Sequence, residues 1–218
     1  MPDTCTEVVI FDTEYWTDEG VWERNWHGLY DPPPYLVQIG AFKVRLETGL
    51  PVADEYISYI IPRNRDGSAL DITPFFTEFT KITPDDIATK GVEAADAILD
   101  FASFCDGAPL YSYGYDIEST FLPTCYAAGM ACPFRVEQGR NVAKVLHRAG
   151  MSEADIYKNS SGTLAAHFGI ELDAHHVHDA RCDAWSILVA LRHLEKTGVL
   201  DINMLAQSFD VLEAPLAA

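Results

Sequence analysis

Val8-Val9-Ile10-Phe11-Asp12-Thr13-Glu14 is the stretch on which the reading of this chain turns. Its apolar run marks a buried strand. Side chains alternate along a strand, so Asp12 and Glu14 project from one face. Two carboxylates that close repel each other, and no Lys or Arg stands in the sequence beside them. Such a pair calls for a metal ion or a shared proton. Working outward, a further carboxylate, Asp116, follows the aromatic stretch Tyr113-Gly114-Tyr115. Another segment, His178-Asp179-Ala180-Arg181-Cys182-Asp183-Ala184, opens a helix whose buried stripe is marked by Ala184, Ile187, Leu188 and Leu191. Asp183 sits at the rim of that stripe, where a carboxylate is costly unless it meets a cation. Asp12, Glu14, Asp116 and Asp183 are therefore candidate metal ligands, with His178 beside them. That is equipment for metal-assisted hydrolysis of a phosphodiester.

Each of these residues also has a plainer reading. An isolated Asp-x-Glu is most often a strand end with a solvated face. Asp116 alone would make a good N-cap for the helix carrying Phe121 and Leu122. The histidines at 175, 176 and 178 invite a zinc site, but no cysteine pair assists them.

Turn signals and periodicity organise the rest. Residues 7–12, 35–46 and 55–62 read as strands, the last two joined by a hairpin-like turn at Glu47-Thr48-Gly49-Leu50-Pro51. Pro109 to Tyr113 reads as a fourth strand. Thr83 as N-cap and Pro84 at the first position open a short helix over 82–90. Helices follow over 93–104, about 116–129, 140–149, 161–168 and 179–197, with another over 202–209. This order predicts a mixed sheet with helices on both faces. The domain spans residues 1–209, and 210–218 reads as a C-terminal tail.

The motifs, taken in order, resemble those of the DEDDh 3′→5′ exonucleases, the group that includes proofreading subunits and RNase T. That family carries Asp-x-Glu on its first strand, here Asp12-Thr13-Glu14. It carries an Asp after an aromatic-rich strand end, here Asp116. Its last motif, His-x-Ala-x-x-Asp-Ala, is matched by His178 to Ala184 without a gap. Leu36 to Ala41 resembles its second strand, and Thr163 to Ile170 the helix before the last motif. The resemblance covers roughly residues 7–197. It implies an RNase H-like fold, here a mixed five-stranded sheet. It also implies 3′→5′ exonuclease activity on single-stranded nucleic acid, releasing nucleoside 5′-monophosphates. RNA or short oligonucleotides are slightly favoured over DNA.

On this reading the cofactors are two Mg²⁺ or Mn²⁺ ions, since oxygen-only ligands suit hard cations. Asp12, Glu14 and Asp183 would hold one ion. Asp12 would bridge to the second, which Asp116 would hold largely through water. His178 would act as general base toward the attacking water.

Composition bounds these expectations. The chain has 218 residues, 48% of them hydrophobic, enough for a sizeable core. No apolar stretch approaches membrane-spanning length, so no membrane partner is expected. The N-terminus is polar and acidic, unlike a targeting signal, and the five cysteines are scattered, which together suggest a cytoplasmic protein. The net charge of −18 is unusual for a nucleic-acid enzyme. It argues against loose coating of duplexes and is compatible with a grip on a few terminal nucleotides. A homodimer is also compatible with the sequence.

Substrate contacts are expected from Thr13, Tyr15 and Trp16, and from Arg140, Lys144 and Arg148. Residues 15–35 form an excursion holding Tyr15, Trp16, Trp22 and Trp26. It either stacks on terminal bases or covers the sheet edge as a satellite cluster. Arg140, Lys144 and Arg148 fall at i, i+4 and i+8 on one face of the expected 140–149 helix. They form either a phosphate-tracking stripe or a solvated face. Two other functional classes stay open: a phosphodiesterase for di- or oligonucleotides, and a nucleic-acid-binding homologue without turnover. The second usually lacks a motif residue, and none is missing here.

Overall fold

The first strand runs longer than its apolar core suggests. In the computed structural model, which describes residues 6–172 and 178–206, β1 spans Glu7–Tyr15 and so carries both Asp12 and Glu14. It pairs antiparallel with β2 (Leu36–Arg45), which pairs antiparallel with β3 (Val52–Ile60). Four helices and two further strands follow: α1 (Pro74–Thr80), α2 (Pro84–Lys90), β4 (Gly91–Val92), α3 (Ala94–Cys105), β5 (Leu110–Ser112) and α4 (Leu122–Ala127). The chain continues through β6 (Gly139–Asn141), α5 (Val142–Arg148), α6 (Glu153–Lys158), α7 (Leu164–His167), α8 (Ala180–Lys196) and α9 (Asn203–Ala206). The sheet has six strands in the order β4-β3-β2-β1-β5-β6, with β5 parallel to β1 and β6 parallel to β5.

Helices cover both faces, as expected, but the sheet has six strands rather than five. The reason is physical. β4 and β6 are two and three residues long, too short to show any periodicity. Helices α1 and α6 were not expected either. Each is only one to two turns long, so cap chemistry rather than an apolar stripe defines it. Thr73 caps α1 by accepting from Phe76 N, and Ser152 caps α6 by accepting from Asp155 N. The expected Thr83–Pro84 start of α2 is present, with a reciprocal Thr83–Asp86 capping box.

Alternation along β1 sorts its residues between two layers. Val8 and Ile10 pack with Val145, Leu146, Ile187, Leu188 and Leu191. Val9 and Phe11 pack with Ile98, Phe101 and Phe121 on the other side. Asp12 and Glu14 continue the Val8–Ile10 face, so they point toward α8. Each fully buried apolar side chain in these layers contributes about 1.5–3 kcal/mol. A third cluster, of Trp16, Val21, Val37, Phe76, Ile82 and Ile87, seals the end of the sheet.

Helix α8 meets the sheet at Gly40. A methyl group on that residue would collide with the Ala180–Arg181 backbone, so only glycine lets the helix come this close. Gln38, fully buried, fixes the same junction. Its Oε1 accepts from Ala180 N at 2.8 Å, and its Nε2 donates to Asp179 Oδ2 at 3.2 Å. Across the β1–β2 ladder, Gly40 stands opposite Asp12 and Gln38 opposite Glu14. The helix start is thereby set directly over the two carboxylates. The predicted tail at 210–218, the end of the predicted 202–209 helix, and His175 and His176 lie outside the described residues.

Candidate active site

Asp12 and Glu14 arrive on β1. Asp116 follows β5, and Asp183 sits in the first turn of α8. These four carboxylates and His178 line one cleft of about 260 Å³. Asp12, Glu14 and Asp183 are buried, between 2% and 8% exposed. Ligand atoms of Glu14, His178 and Asp183 lie within 4.8 Å of one another. The structure brings these five residues together at one cleft.

Local hydrogen bonds hold Asp116, Asp183 and the start of α8. Asp179 caps α8 by accepting from Cys182 N at 2.9 Å. Asp183 Oδ2 accepts from the His178 backbone N–H at 3.2 Å. The Thr13 hydroxyl donates to Asp116 Oδ2 at 3.3 Å. Asp116 does not cap the following helix with its side chain, contrary to its plainer reading. The turn after it is π-helical over Ile117–Phe121, with Leu122 N–H donating to Ile117 C=O. This wide turn leaves the carboxylate to the cleft.

The charges are frustrated. Burial, then the Asp183, Asp116 and Glu14 carboxylates, hold Asp12 well above the usual carboxylate range. Burial, Asp183, Asp179 and Asp116 do the same to Glu14. Asp116 is pushed up to about 7, chiefly by burial and against the Thr13 hydrogen bond. Asp183 is likewise pushed up to about 7 by burial, against the His178 N–H. The Ser161 hydroxyl partly relieves both Asp12 and Asp183. Burial moves His178 the other way, below its ordinary 6.5. Oxygen donors that repel one another in a poorly solvated cleft fit a hard divalent cation.

A stability prediction follows. A carboxyl whose folded pKa is raised stabilises the fold below its ordinary pKa, and that contribution is lost as pH rises through the folded value. For Asp116 and Asp183 the loss runs from about pH 4 to beyond 7. In chelator, the protein should melt higher at pH 5 than at pH 8, by on the order of 5 °C. Mg²⁺ should narrow the gap, and Asp183→Asn should flatten it. An unchanged gap in Asp183→Asn, measured by thermal scans, would rule this origin out.

Several residues that shape the site were not singled out in the sequence. Ser161 and Gly162 form a tight turn over Asp183, and a methyl group on Gly162 would sit 2.5 Å from Asp183 Oδ1. Phe79 borders the cleft. Only Gly162 could have been suspected, as a glycine opening the apolar run before the last motif.

Other expected contacts are placed differently. Tyr15 is half-buried and lines the cleft. Trp16 is only 8% exposed, and its indole N–H donates to Asp71 C=O. It belongs to the cluster sealing the sheet, so the satellite reading describes it. Trp22, 53% exposed, is the tryptophan that lines the cleft. Arg140 is not on the α5 face, because it lies in β6 ahead of the helix start at Val142. Its guanidinium donates to Tyr111 Oη at 3.1 Å and Leu205 C=O at 2.8 Å. Lys144 and Arg148 remain exposed on α5, with Lys144 Nζ 5.6 Å from the centre of the Tyr115 ring.

Known structures share this architecture. A 3′-exonuclease that recognises the 3′ end of a histone mRNA stem-loop has a TM-score of 0.69 and 14% identity, over 90% of this chain and 84% of that one. The chain has the fold of a 3′-exonuclease. A moderately thermophilic Exonuclease I from Methylocaldum szegediense gives 0.59 at 17% identity, over 92% of this chain and 42% of that one. The zinc-ion-bound complex of E. coli Exonuclease I with single-stranded DNA gives 0.58 at 16% identity, over 88% and 41%. This chain thus spans about two fifths of those Exonuclease I chains. No protein-family model and no curated protein matches the sequence. The described residues contain no helix long and apolar enough to cross a membrane.

Proposed function

We propose that the protein is a metal-dependent 3′→5′ exonuclease of the DEDDh type acting on single-stranded nucleic acid. One observation carries the reading: Asp12, Glu14, Asp116, His178 and Asp183 line one cleft, on the fold of known 3′-exonucleases. Asp12, Glu14 and Asp183 would hold one Mg²⁺ or Mn²⁺, and Asp12 with Asp116 a second. Bound there, the cations supply electrostatic stabilisation of the attacking and leaving oxygens of an in-line displacement. Thr13 keeps the Asp116 carboxylate oriented through its hydroxyl. His178 accepts the proton of the attacking water, and its lowered pKa keeps the imidazole neutral at pH 7.

None of the described residues lining the cleft is a lysine or arginine. With a net charge of −18, this supports a grip on a short 3′ end, by cations and stacking, over long-range capture of a polyanion. RNA or short oligonucleotides are favoured over DNA, with nucleoside 5′-monophosphates as products. The test is digestion of 5′-labelled single-stranded RNA, DNA and dinucleotides with Mg²⁺ or chelator. A ladder shortening from the 3′ end, only with metal, is expected. Cleavage of dinucleotides alone would favour the phosphodiesterase reading. Binding without cleavage would overturn both.

The tryptophans give a second test. Trp22→Ala should weaken oligonucleotide binding by roughly 1–3 kcal/mol, the worth of one stacked base, with little change in melting. Trp16→Ala should instead cost about 3–5 kcal/mol of stability, because it empties a buried site. The reverse pattern, in titrations and thermal scans, would return the stacking role to Trp16.

A further inference from the structure

The imidazole of His178 is backed by an aromatic ring from a distant part of the chain. Phe79, on α1, lies against it with ring centroids 3.9 Å apart and planes 28° from parallel. Phe75 runs parallel to Phe79 one helical turn earlier, 6.2 Å away. The position of α1 is itself fixed. Trp16 Nε1 donates to Asp71 C=O, and the Thr73 hydroxyl donates to Asp18 Oδ1, so the start of α1 is tied to the residues just beyond Glu14. Phe76, fully buried, anchors the helix in the cluster around Trp16.

His178 needs such a support. Its φ is +69°, a left-handed conformation that costs a non-glycine residue free energy. Its backbone N–H is committed to Asp183 Oδ2, which fixes the main chain but not the side-chain torsions. A general base works only when its nitrogen is within hydrogen-bond reach of the proton it takes. A ring stacked on one imidazole face obstructs side-chain torsions that would swing the imidazole through the space Phe79 fills. The ring edge stays turned toward the Glu14 and Asp183 carboxylates, whose oxygens lie within 4.8 Å of a histidine nitrogen.

We propose that Phe79 is a positioning residue, which holds the His178 imidazole in its working orientation by stacking on one face. This rests on the exonuclease reading for its kinetic consequence, but the stacking itself does not. Phe79→Leu removes the ring with little loss of volume. It should lower kcat about 10- to 100-fold, the scale of a misplaced catalytic group, with KM and Mn²⁺ affinity unchanged. Phe79→Tyr, which keeps the ring, should restore most of the rate. In a His178→Ala background, Phe79→Leu should cost nothing further, because the group it positions is gone.

Three outcomes would overturn the proposal: an equal loss in both backgrounds, a rise in KM in place of the fall in kcat, or a failure of Phe79→Tyr to restore the rate. The second would make Phe79 a platform for a substrate base. NMR of the metal-free protein gives a readout that needs no activity and survives failure of the exonuclease reading. The His178 imidazole protons, assigned by their loss in His178→Ala, should lie upfield from the Phe79 ring current and move downfield in Phe79→Leu. If they do not move, the stack is absent in solution. Should Phe79→Leu fold poorly, Phe79→Met offers the same ring-free comparison.

Discussion

Asp12→Ala should abolish hydrolysis, by about 10³-fold or more, and yet melt at a higher temperature than the wild type in chelator. Asp12 is central to the carboxylate cluster. Its ionised form is opposed by burial and by Asp183, Asp116 and Glu14 together. Removing it relieves repulsion that metal would otherwise neutralise. The same removal strips the position expected to touch both cations, so the loss of several kcal/mol of transition-state stabilisation corresponds to the stated factor. Calorimetric titration with Mn²⁺ and a thermal scan in chelator read the two effects separately. Near-normal activity in Asp12→Ala would sink the metal assignment. A lower melting temperature without metal would mean that the carboxylate is held by bonds stronger than its repulsions.

His178→Ala should lose about 10²–10⁴ in rate and keep its affinity for divalent cations. The wild-type rate should rise with pH along a limb whose midpoint lies below the ordinary histidine value, because burial disfavours the charged imidazole. That limb should vanish in the variant. The grouping of His178 with Glu14 and Asp183 makes the alternative concrete. If His178→Ala loses metal affinity along with rate, the histidine is a ligand, and a zinc-type site with mixed nitrogen and oxygen donors would replace the oxygen-only one.

Asp12, Glu14, His178 and Asp183 were legible in the sequence because they lie on or beside long, strongly patterned elements, whereas Asp116, between a three-residue strand and a five-residue π-helical turn, stood out only through the family resemblance. β1 is buried on both faces and α8 along a stripe, and carboxylates in such settings stand out. The surroundings of the site were not legible, for reasons that differ by residue. Trp16 and Trp22 lie six positions apart in one aromatic segment, and composition cannot tell which one the core takes. The core took Trp16 because its indole N–H reaches Asp71 C=O. Arg140 was grouped with Lys144 and Arg148 by helical spacing, but Asn141 caps α5 and ends that period. Phe79 approaches His178 across 99 positions of sequence, and no local pattern announces such a contact. The edge strands β4 and β6 owe their pairing to neighbours, which no window of two or three residues displays.

Gly40 is a fulcrum for the chemistry, although it is not among the residues that line the cleft. An α-helix moves as a rigid rod over a few turns, and Asp183 lies only ~4.5 Å along the axis from Ala180, at the contact with the strand. Any side chain at position 40 would tilt or lift the rod, and Asp183 would travel with it while Asp12 and Glu14 stayed on β1. Activity would then be lost with every ligand still in place and the hydrophobic layers largely intact. The reacting geometry of this protein is thus inherited from the thickness of one backbone-to-backbone contact, and drift at that contact is a silent route by which a relative of this chain could keep all its motifs and turn over nothing.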